Sequence, residues 1–134
     1  MTSEHLLEPV RPVTIGGQVY TLKGTLGALK EIQHAFGKPI LDVHAAVLGL
    51  SFDDLARLIA LGIKGNGETP PAPEAVEQWV LEDNGIEDTQ KLMLEWLLMA
   101  VTPKKSREKK MADFRATLDA IEKAREAMAA KPKK

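Results

Sequence analysis

The sequence predicts a mainly α-helical fold, in which an N-terminal β-hairpin packs on a bundle of five or six helices and the last helix is long enough to project. Three patterns lead to this prediction. Two β-rich runs flank a Gly-Gly pair near the N-terminus, apolar residues recur at helical spacing over residues 25–101, and a narrow stripe at heptad spacing follows. The chain has 134 residues, of which 44% are hydrophobic and 28% charged, and this composition fits one globular domain.

The hairpin is predicted from residues 13–22, where the runs VTI and QVYTL are separated by two glycines. Both central positions of a type I′ turn need a positive φ, which Gly16 and Gly17 adopt without steric cost. Strand alternation places four side chains against the body of the domain: Val13, Ile15, Val19 and Leu22. Since a two-stranded ribbon is only marginally stable by itself, we expect it to lie on the helices.

The first helix is predicted to begin after Thr25, its N-cap, and to end at Gly37, which suits the left-handed conformation of a helix C-terminus. Its apolar stripe consists of Leu26, Leu29, Ile32 and Phe36. Because Gly27 is a poor helix former, we expect it to mark a close approach of the backbone to the hairpin. Three more helical segments are predicted over residues 39–48, 51–63 and 74–83.

A surface loop is predicted over residues 64–73, which contain three prolines and two glycines. The helix predicted over residues 87–101 is apolar nearly all round and contains Trp96. A helix of this kind is either a central core helix or part of an oligomer surface.

The last segment, residues 103–134, is predicted to be a basic helical tail. Its apolar residues follow a heptad-like seam typical of helix pairing: Met111, Phe114, Leu118, Ile121 and Met128. A helix over residues 107–130 would be about 36 Å long, and the terminal KPKK is expected to fray. The predicted organisation is therefore a flexible arm (residues 1–12), a hairpin plus helical domain (13–102) and this tail (103–134).

The net charge of −1 conceals a strong asymmetry, because residues 1–102 carry −7 and residues 103–134 carry +6. The run KKSREKK over residues 104–110 is the main basic feature. Three interpretations remain open: a solvated helix face, a docking surface for an acidic protein or a like subunit, and a nucleic-acid contact. The acidic body and the lack of an aromatic residue within the run disfavour nucleic acid.

The residues also limit the chemistry that we expect. The absence of cysteine excludes a disulfide scaffold, a thiolate zinc site and a cysteine nucleophile. Three histidines lie scattered without metal-ligand spacing, and the glycine pattern at residues 62–67 follows a helix, whereas phosphate-binding loops follow a strand. We therefore expect no catalytic, metal or cofactor site and no enzymatic activity.

Neither a signal peptide nor an apolar stretch long enough to span a membrane is recognisable in the sequence. We therefore expect a soluble intracellular protein without a membrane partner.

The segment from residue 13 to residue 48 contains a Gly-Gly hairpin with an aromatic residue, a helix start with a small-residue pattern, and an acid-containing helix that closes at a glycine. The positions that carry this pattern are Gly16, Gly17, Tyr20, Leu22, Thr25, Gly27, Ala28, Leu29, Glu31 and Gly37. With them, the chain resembles the small tail assembly chaperones of long-tailed bacteriophages, especially the branch associated with gene transfer agents. The resemblance covers about residues 13–66, including FDDLA at 52–56, and ends at the Pro-rich loop.

The resemblance implies a non-enzymatic, oligomeric protein that binds the tape-measure protein and helps tail-tube proteins to assemble in the cytoplasm of the bacterial host. Such a protein would be absent from the mature virion. Two alternatives stay open: a structural head–tail or tail-tip adaptor of the virion, and a small nucleic-acid-binding regulator. The residues predicted to bind partners are Leu26, Leu29, Trp96, Met111, Phe114, Leu118, Ile121, Lys104, Lys105, Lys109 and Lys110.

Overall fold

A computed structural model of the chain describes residues 9–130, within which a β-hairpin is followed by six α-helices. The strands are β1 (Val10–Ile15) and β2 (Gln18–Lys23). The helices are α1 (Leu26–Phe36), α2 (Ile40–Ala46), α3 (Phe52–Gly65), α4 (Pro73–Gln78), α5 (Ile86–Val101) and α6 (Lys104–Ala130). A 3₁₀ turn (Val47–Gly49) follows α2, and a π-helical turn (Trp79–Asp83) follows α4. The predicted fold class is confirmed.

The hairpin turns at Gly16 and Gly17, whose φ angles are 61° and 81°. Strand β1 begins at Val10, so residues 10–12 belong to the hairpin and were wrongly predicted as part of the arm; residues 1–8 lie outside the described part. The prediction for Val19 is wrong too, because its side chain is 59% exposed. Pairing of Ile15 with Gln18 places Val13 opposite Tyr20, so Tyr20 faces the body in place of Val19.

One contact joins the hairpin to the loop between α3 and α4. The backbone N–H of Thr21, which pairs with Pro12 in the hairpin, donates to the Glu68 carboxylate at 2.8 Å. The Asn66 side chain donates to the same oxygen at 3.0 Å. These two hydrogen bonds lower the pKa of Glu68, with the Asn66 amide as the larger cause. They fix the start of the Pro-rich loop against β2.

The core forms where β2, α3 and α5 meet. Leu22 and Trp96 are fully buried, and a Cβ atom added at Gly62 would lie 2.9 Å from each of their side chains. A Cβ atom at Gly65 would collide with the carbonyl oxygen of Lys23. Gly27 has open space around it, so the predicted close approach is wrong for that residue and occurs on α3 instead.

The local signals at both ends of α1 are confirmed. The Thr25 hydroxyl accepts a hydrogen bond from the Ala28 N–H at 3.1 Å, and Gly37 has a φ of 66°. Ile32 is fully buried and Leu29 is half-buried, but Leu26, in the first turn of the helix, is exposed.

The long helix α6 folds back antiparallel to α5. Three ion pairs follow the two helices in order: Arg115 with Glu95, Glu122 with Lys91, and Arg125 with Glu87. The three ion pairs are spaced along α5 from its C-terminal half to its first turn, so α6 follows α5 over this distance. The predicted projection of the last helix is therefore wrong for most of its length, because α6 packs on its own chain.

The connection between α5 and α6 depends on Arg107, a member of the basic run that is nevertheless buried. Its Nε donates to the carbonyl oxygens of Met99 and Thr102, each at 2.8 Å. The last carbonyls of a helix lack partners within the helix, and a cation near them is favourable. This capping role explains why Arg107 is found near the start of α6, a position where cations are ordinarily unfavourable.

Candidate partner-binding surfaces

Two of the residues predicted to bind partners lie in the core. Trp96 is fully buried, and its indole N–H donates to the carbonyl oxygen of Pro9 at 2.9 Å. Met111 is buried because α6 returns along α5. Both residues were therefore wrongly predicted as partner surface. Periodicity shows which side chains share a helix face, but it leaves open whether the same chain covers that face.

Three more predicted residues are half-buried: Leu29, Phe114 and Leu118. Leu29 and Phe114 pack against the core cluster. The ring of Phe114 lies 6.4 Å from the ring of His44 on α2, measured between centroids. This contact places the middle of α6 next to α2. Of the predicted apolar residues, only Leu26 and Ile121 are exposed.

Large apolar side chains are exposed on α2 and the turn that follows it, on α5 and on α6, and we call this set the outer apolar surface. It consists of Leu41, Leu48, Ile86, Ile121 and Met128. The Leu48 carbonyl accepts from the Gln90 side chain at 3.1 Å, and Ile86 lies one helical turn before Gln90. On the other side, Glu122 follows Ile121 and pairs with Lys91 at 2.8 Å. Leu48 and Ile121 therefore lie near the part of α5 that begins with Ile86.

The extent of this exposure is large for apolar side chains. Leu41 is 63% exposed, Leu48 62% and Met128 75%. Leu41 and Leu48 were not predicted as partner residues. Their seven-residue spacing, with Ala45 between them, placed them on one side of the segment, and this was the signal in the sequence. The segment was too short for its pattern to show whether this side of the helix faces the core or the solvent.

His44 lies beneath this surface, beside Leu94 and Phe114. Its Nε2 atom is buried and has no hydrogen-bond partner in the described part of the chain. Burial lowers the pKa of His44, and a backbone hydrogen bond with Leu94 acts in the opposite direction. The neutral imidazole is therefore the form that fits between α2, α5 and α6.

The predicted basic residues Lys104, Lys105, Lys109 and Lys110 are all exposed. None of them makes a salt bridge with another described residue. Negative charge is concentrated in a different segment, between Lys64 and Lys91, where the chain has seven acidic and no basic residues.

A groove of about 600 Å³ lies between α3 and the Pro-rich loop. Its lining includes Ala56, Ala60, Pro70, Pro71 and Val76. Arg57 also lines this groove, and its guanidinium lies 5.9 Å from the centre of the Phe36 ring. Asp53 lies one helical turn before Arg57, and a hydrogen bond from the Ser51 hydroxyl lowers the pKa of Asp53. This groove was not predicted from the sequence, because it forms only when the loop returns to α3.

Within residues 9–130, no group of three or more histidine or carboxylate side chains is arranged to hold a metal ion. In the same part of the chain, no helix has the length and apolar character needed to cross a membrane.

Comparison with known proteins gives one match. The family described as phage tail tube protein, GTA-gp10, matches residues 11–93. The chain belongs to this family. It is thus related to bacteriophage tail proteins. No curated protein and no solved structure matches the chain significantly.

The match to the GTA-gp10 family extends further than the sequence resemblance predicted. It passes through the Pro-rich loop, Trp79 and the first half of α5, and it ends at Met93. Trp96 and the whole of α6 lie beyond it. The hairpin, the groove and the acidic segment are therefore within the family region, whereas the four exposed lysines are not.

Proposed function

We propose that the protein is a phage tail assembly chaperone that binds the tape-measure protein and assists assembly of the tail tube. The outer apolar surface is the observation that carries this proposal. Isolated exposed apolar side chains are ordinary, but several large ones on elements that pack together are typical of a protein–protein contact. A partner with a complementary apolar face would remove these side chains from water.

The positions of Leu48 and Ile121 support a helical partner. Leu48 accepts through its carbonyl from Gln90, and Ile121 precedes the Glu122 that pairs with Lys91, so both flank neighbouring residues of α5 and a bound helix could contact both. Helices that bind in this way present apolar anchors at spacings of three, four and seven residues. The proposed role requires binding alone, and we propose accordingly that the protein is non-enzymatic and acts in the cytoplasm of the bacterial host.

A second candidate is a structural subunit that remains in the virion. The description of the matching family as a tail tube protein favours it. In that case the outer apolar surface would be covered permanently by neighbouring tail subunits. The two candidates share the same class of partner and differ in whether the protein leaves after assembly.

Binding is tested by mixing the full chain with fragments of the tape-measure protein and measuring the mass of the complex by light scattering. We expect Leu48→Asp and Ile121→Asp to weaken the complex at least tenfold. Val19→Asp serves as a control, because Val19 is an apolar residue that is at least about as exposed as the two tested residues but lies on the hairpin. Failure of the wild-type chain to bind any fragment, or equal weakening by the control, would contradict the proposal.

The two candidates are separated by mass spectrometry of purified particles from the same host. A chaperone is expected in the lysate and not in the particles. Recovery of the chain in particles in a fixed ratio to the major tail proteins would instead identify a structural subunit.

A further inference from the structure

Two groups of exposed charged side chains lie at the ends of α5, and only Glu87 among them has a salt-bridge partner within the described residues. We call Glu82, Asp83, Glu87 and Asp88 the acidic end, and Lys104, Lys105, Lys109 and Lys110 the basic end. The first group adjoins the N-terminus of α5 and the second follows its C-terminus. Because α5 has 16 residues, the two ends are separated by about 24 Å. The molecule therefore has two charged surfaces of opposite sign that do not neutralise each other.

The acidic end combines charge with exposed apolar side chains. All four carboxylates are exposed, and only Glu87 makes a salt bridge within the described residues, with Arg125 at 3.5 Å. Leu81 and Ile86 are exposed beside them, one on each side of the turn at Asn84 and Gly85. This turn is fixed, because the Asn84 side chain donates to the Thr89 hydroxyl at 2.9 Å. The acidic end is thus an ordered apolar patch bordered by carboxylates.

The basic end has the opposite character. Its four lysines occupy the first two turns of α6, where the helix dipole disfavours cations. Arg107, in the same turns, is buried and caps α5, whereas the four lysines are exposed and make no salt bridge with a described residue. Nothing in the described fold accounts for these four charges.

The geometry points to a second copy of the chain as the partner: the basic end of one copy docks on the acidic end of the next. Charge complementarity selects this occupant. Lysine side chains also carry long methylene stems, which cover Leu81 and Ile86 while the ammonium groups reach the carboxylates. Because the two surfaces differ, the contact is heterologous, and its repetition gives a ring or an open row of subunits. This inference concerns association between copies and does not depend on the proposed chaperone role.

The proposal is tested by sedimentation velocity of the full chain at about 0.05 M and about 1 M salt. We expect concentration-dependent association at low salt, and a shift to monomer at high salt because the charges are then screened. One variant reverses the basic end (Lys104→Glu, Lys105→Glu, Lys109→Glu, Lys110→Glu). Another reverses the acidic end (Glu82→Lys, Asp83→Lys, Asp88→Lys). Each is expected to be monomeric alone, and an equimolar mixture of the two is expected to associate again.

A control variant, Lys30→Glu with Lys38→Glu, reverses two exposed lysines in and just after α1 and should associate like the wild type. Circular dichroism checks that each variant is folded. Monomeric wild type at both salt concentrations, or a mixture of reversed variants that stays monomeric, overturns the proposal. Loss of duplex DNA binding in the basic-end variant, without any self-association of the wild type, would overturn it in favour of nucleic acid.

Discussion

The Nε atom of Arg107 donates a hydrogen bond to the carbonyl oxygen of Met99 at 2.8 Å, which joins the first turns of α6 to the last turn of α5. The same atom also donates to Thr102. A buried guanidinium thus adds hydrogen bonds to carbonyl groups at the end of α5, where Met99 otherwise accepts only from the Thr102 N–H at 3.4 Å. The return of α6 along α5 depends on this connection.

Replacement of this residue, Arg107→Ala, is expected to lower the free energy of unfolding by about 2 kcal/mol, because two hydrogen bonds from a buried charged group are lost. Lys105→Ala is the matched control, since Lys105 is exposed and makes no salt bridge with a described residue. Urea unfolding of both variants measures the difference. Equal stabilities would mean that the connection contributes little.

Two glycines are expected to respond in opposite directions to alanine. Gly65→Ala would place a Cβ atom against the backbone of Lys23 and 2.7 Å from the Cβ of Ala28, so it should cost about 2 kcal/mol or more. Gly27→Ala has open space and a helical backbone, and it should stabilise by about 0.5 kcal/mol. Thermal unfolding of the two variants provides the comparison. A destabilised Gly27→Ala protein would show that residue 27 has a contact absent from this fold.

The indole of Trp96 is expected to stabilise the fold through its hydrogen bond as well as its volume. Trp96→Phe keeps an aromatic ring but removes the indole donor, so the Pro9 carbonyl keeps only its hydrogen bond from the Gly24 N–H at 2.9 Å. The expected cost of the lost hydrogen bond is about 1 kcal/mol. Trp79→Phe is the control, because the Trp79 indole N–H has no hydrogen-bond partner in the described region. Chemical denaturation should show the greater loss at residue 96; the reverse order would contradict the role of the Pro9 contact.

His44 is expected to make stability depend on pH. Burial lowers the pKa of His44 in the folded state below its ordinary value of 6.5, so the unfolded chain binds the proton more readily. The contribution of His44 is therefore fully present above pH 6.5, and it decreases as the pH falls from there through the lowered pKa. Urea unfolding at a series of pH values should show this decrease, and His44→Gln should remove it. His34→Gln, at an exposed position on α1, should leave it unchanged.

Local features of this fold were predictable from the sequence. Gly16, Gly17 and Gly37 each adopt a positive φ, and Thr25 caps α1 through its own side chain. These features depend on a few neighbouring residues, and the chemistry of those residues is sufficient to predict them.

Features that depend on packing between distant segments were not predictable in the same way. Trp96 and Met111 belong to apolar stripes, but only the return of α6 along α5 decides that they are buried. The two-residue turn at Gly16 and Gly17 pairs Val13 with Tyr20, and this register leaves Val19 exposed. The outer apolar surface combines residues from α2, the 3₁₀ turn, α5 and α6, so no single stretch of sequence displays it.

The pairing of Pro12 with Thr21 affects both edges of the hairpin. Their backbone nitrogens face outward from the ribbon, and Pro12 has no N–H to offer, while the N–H of Thr21 is already bound to Glu68. A strand approaching either edge would therefore find no available donor at this position. Sheet extension from chain to chain is disfavoured at the middle of the hairpin. This chain is protected there against the edge-to-edge aggregation that exposed β-ribbons promote.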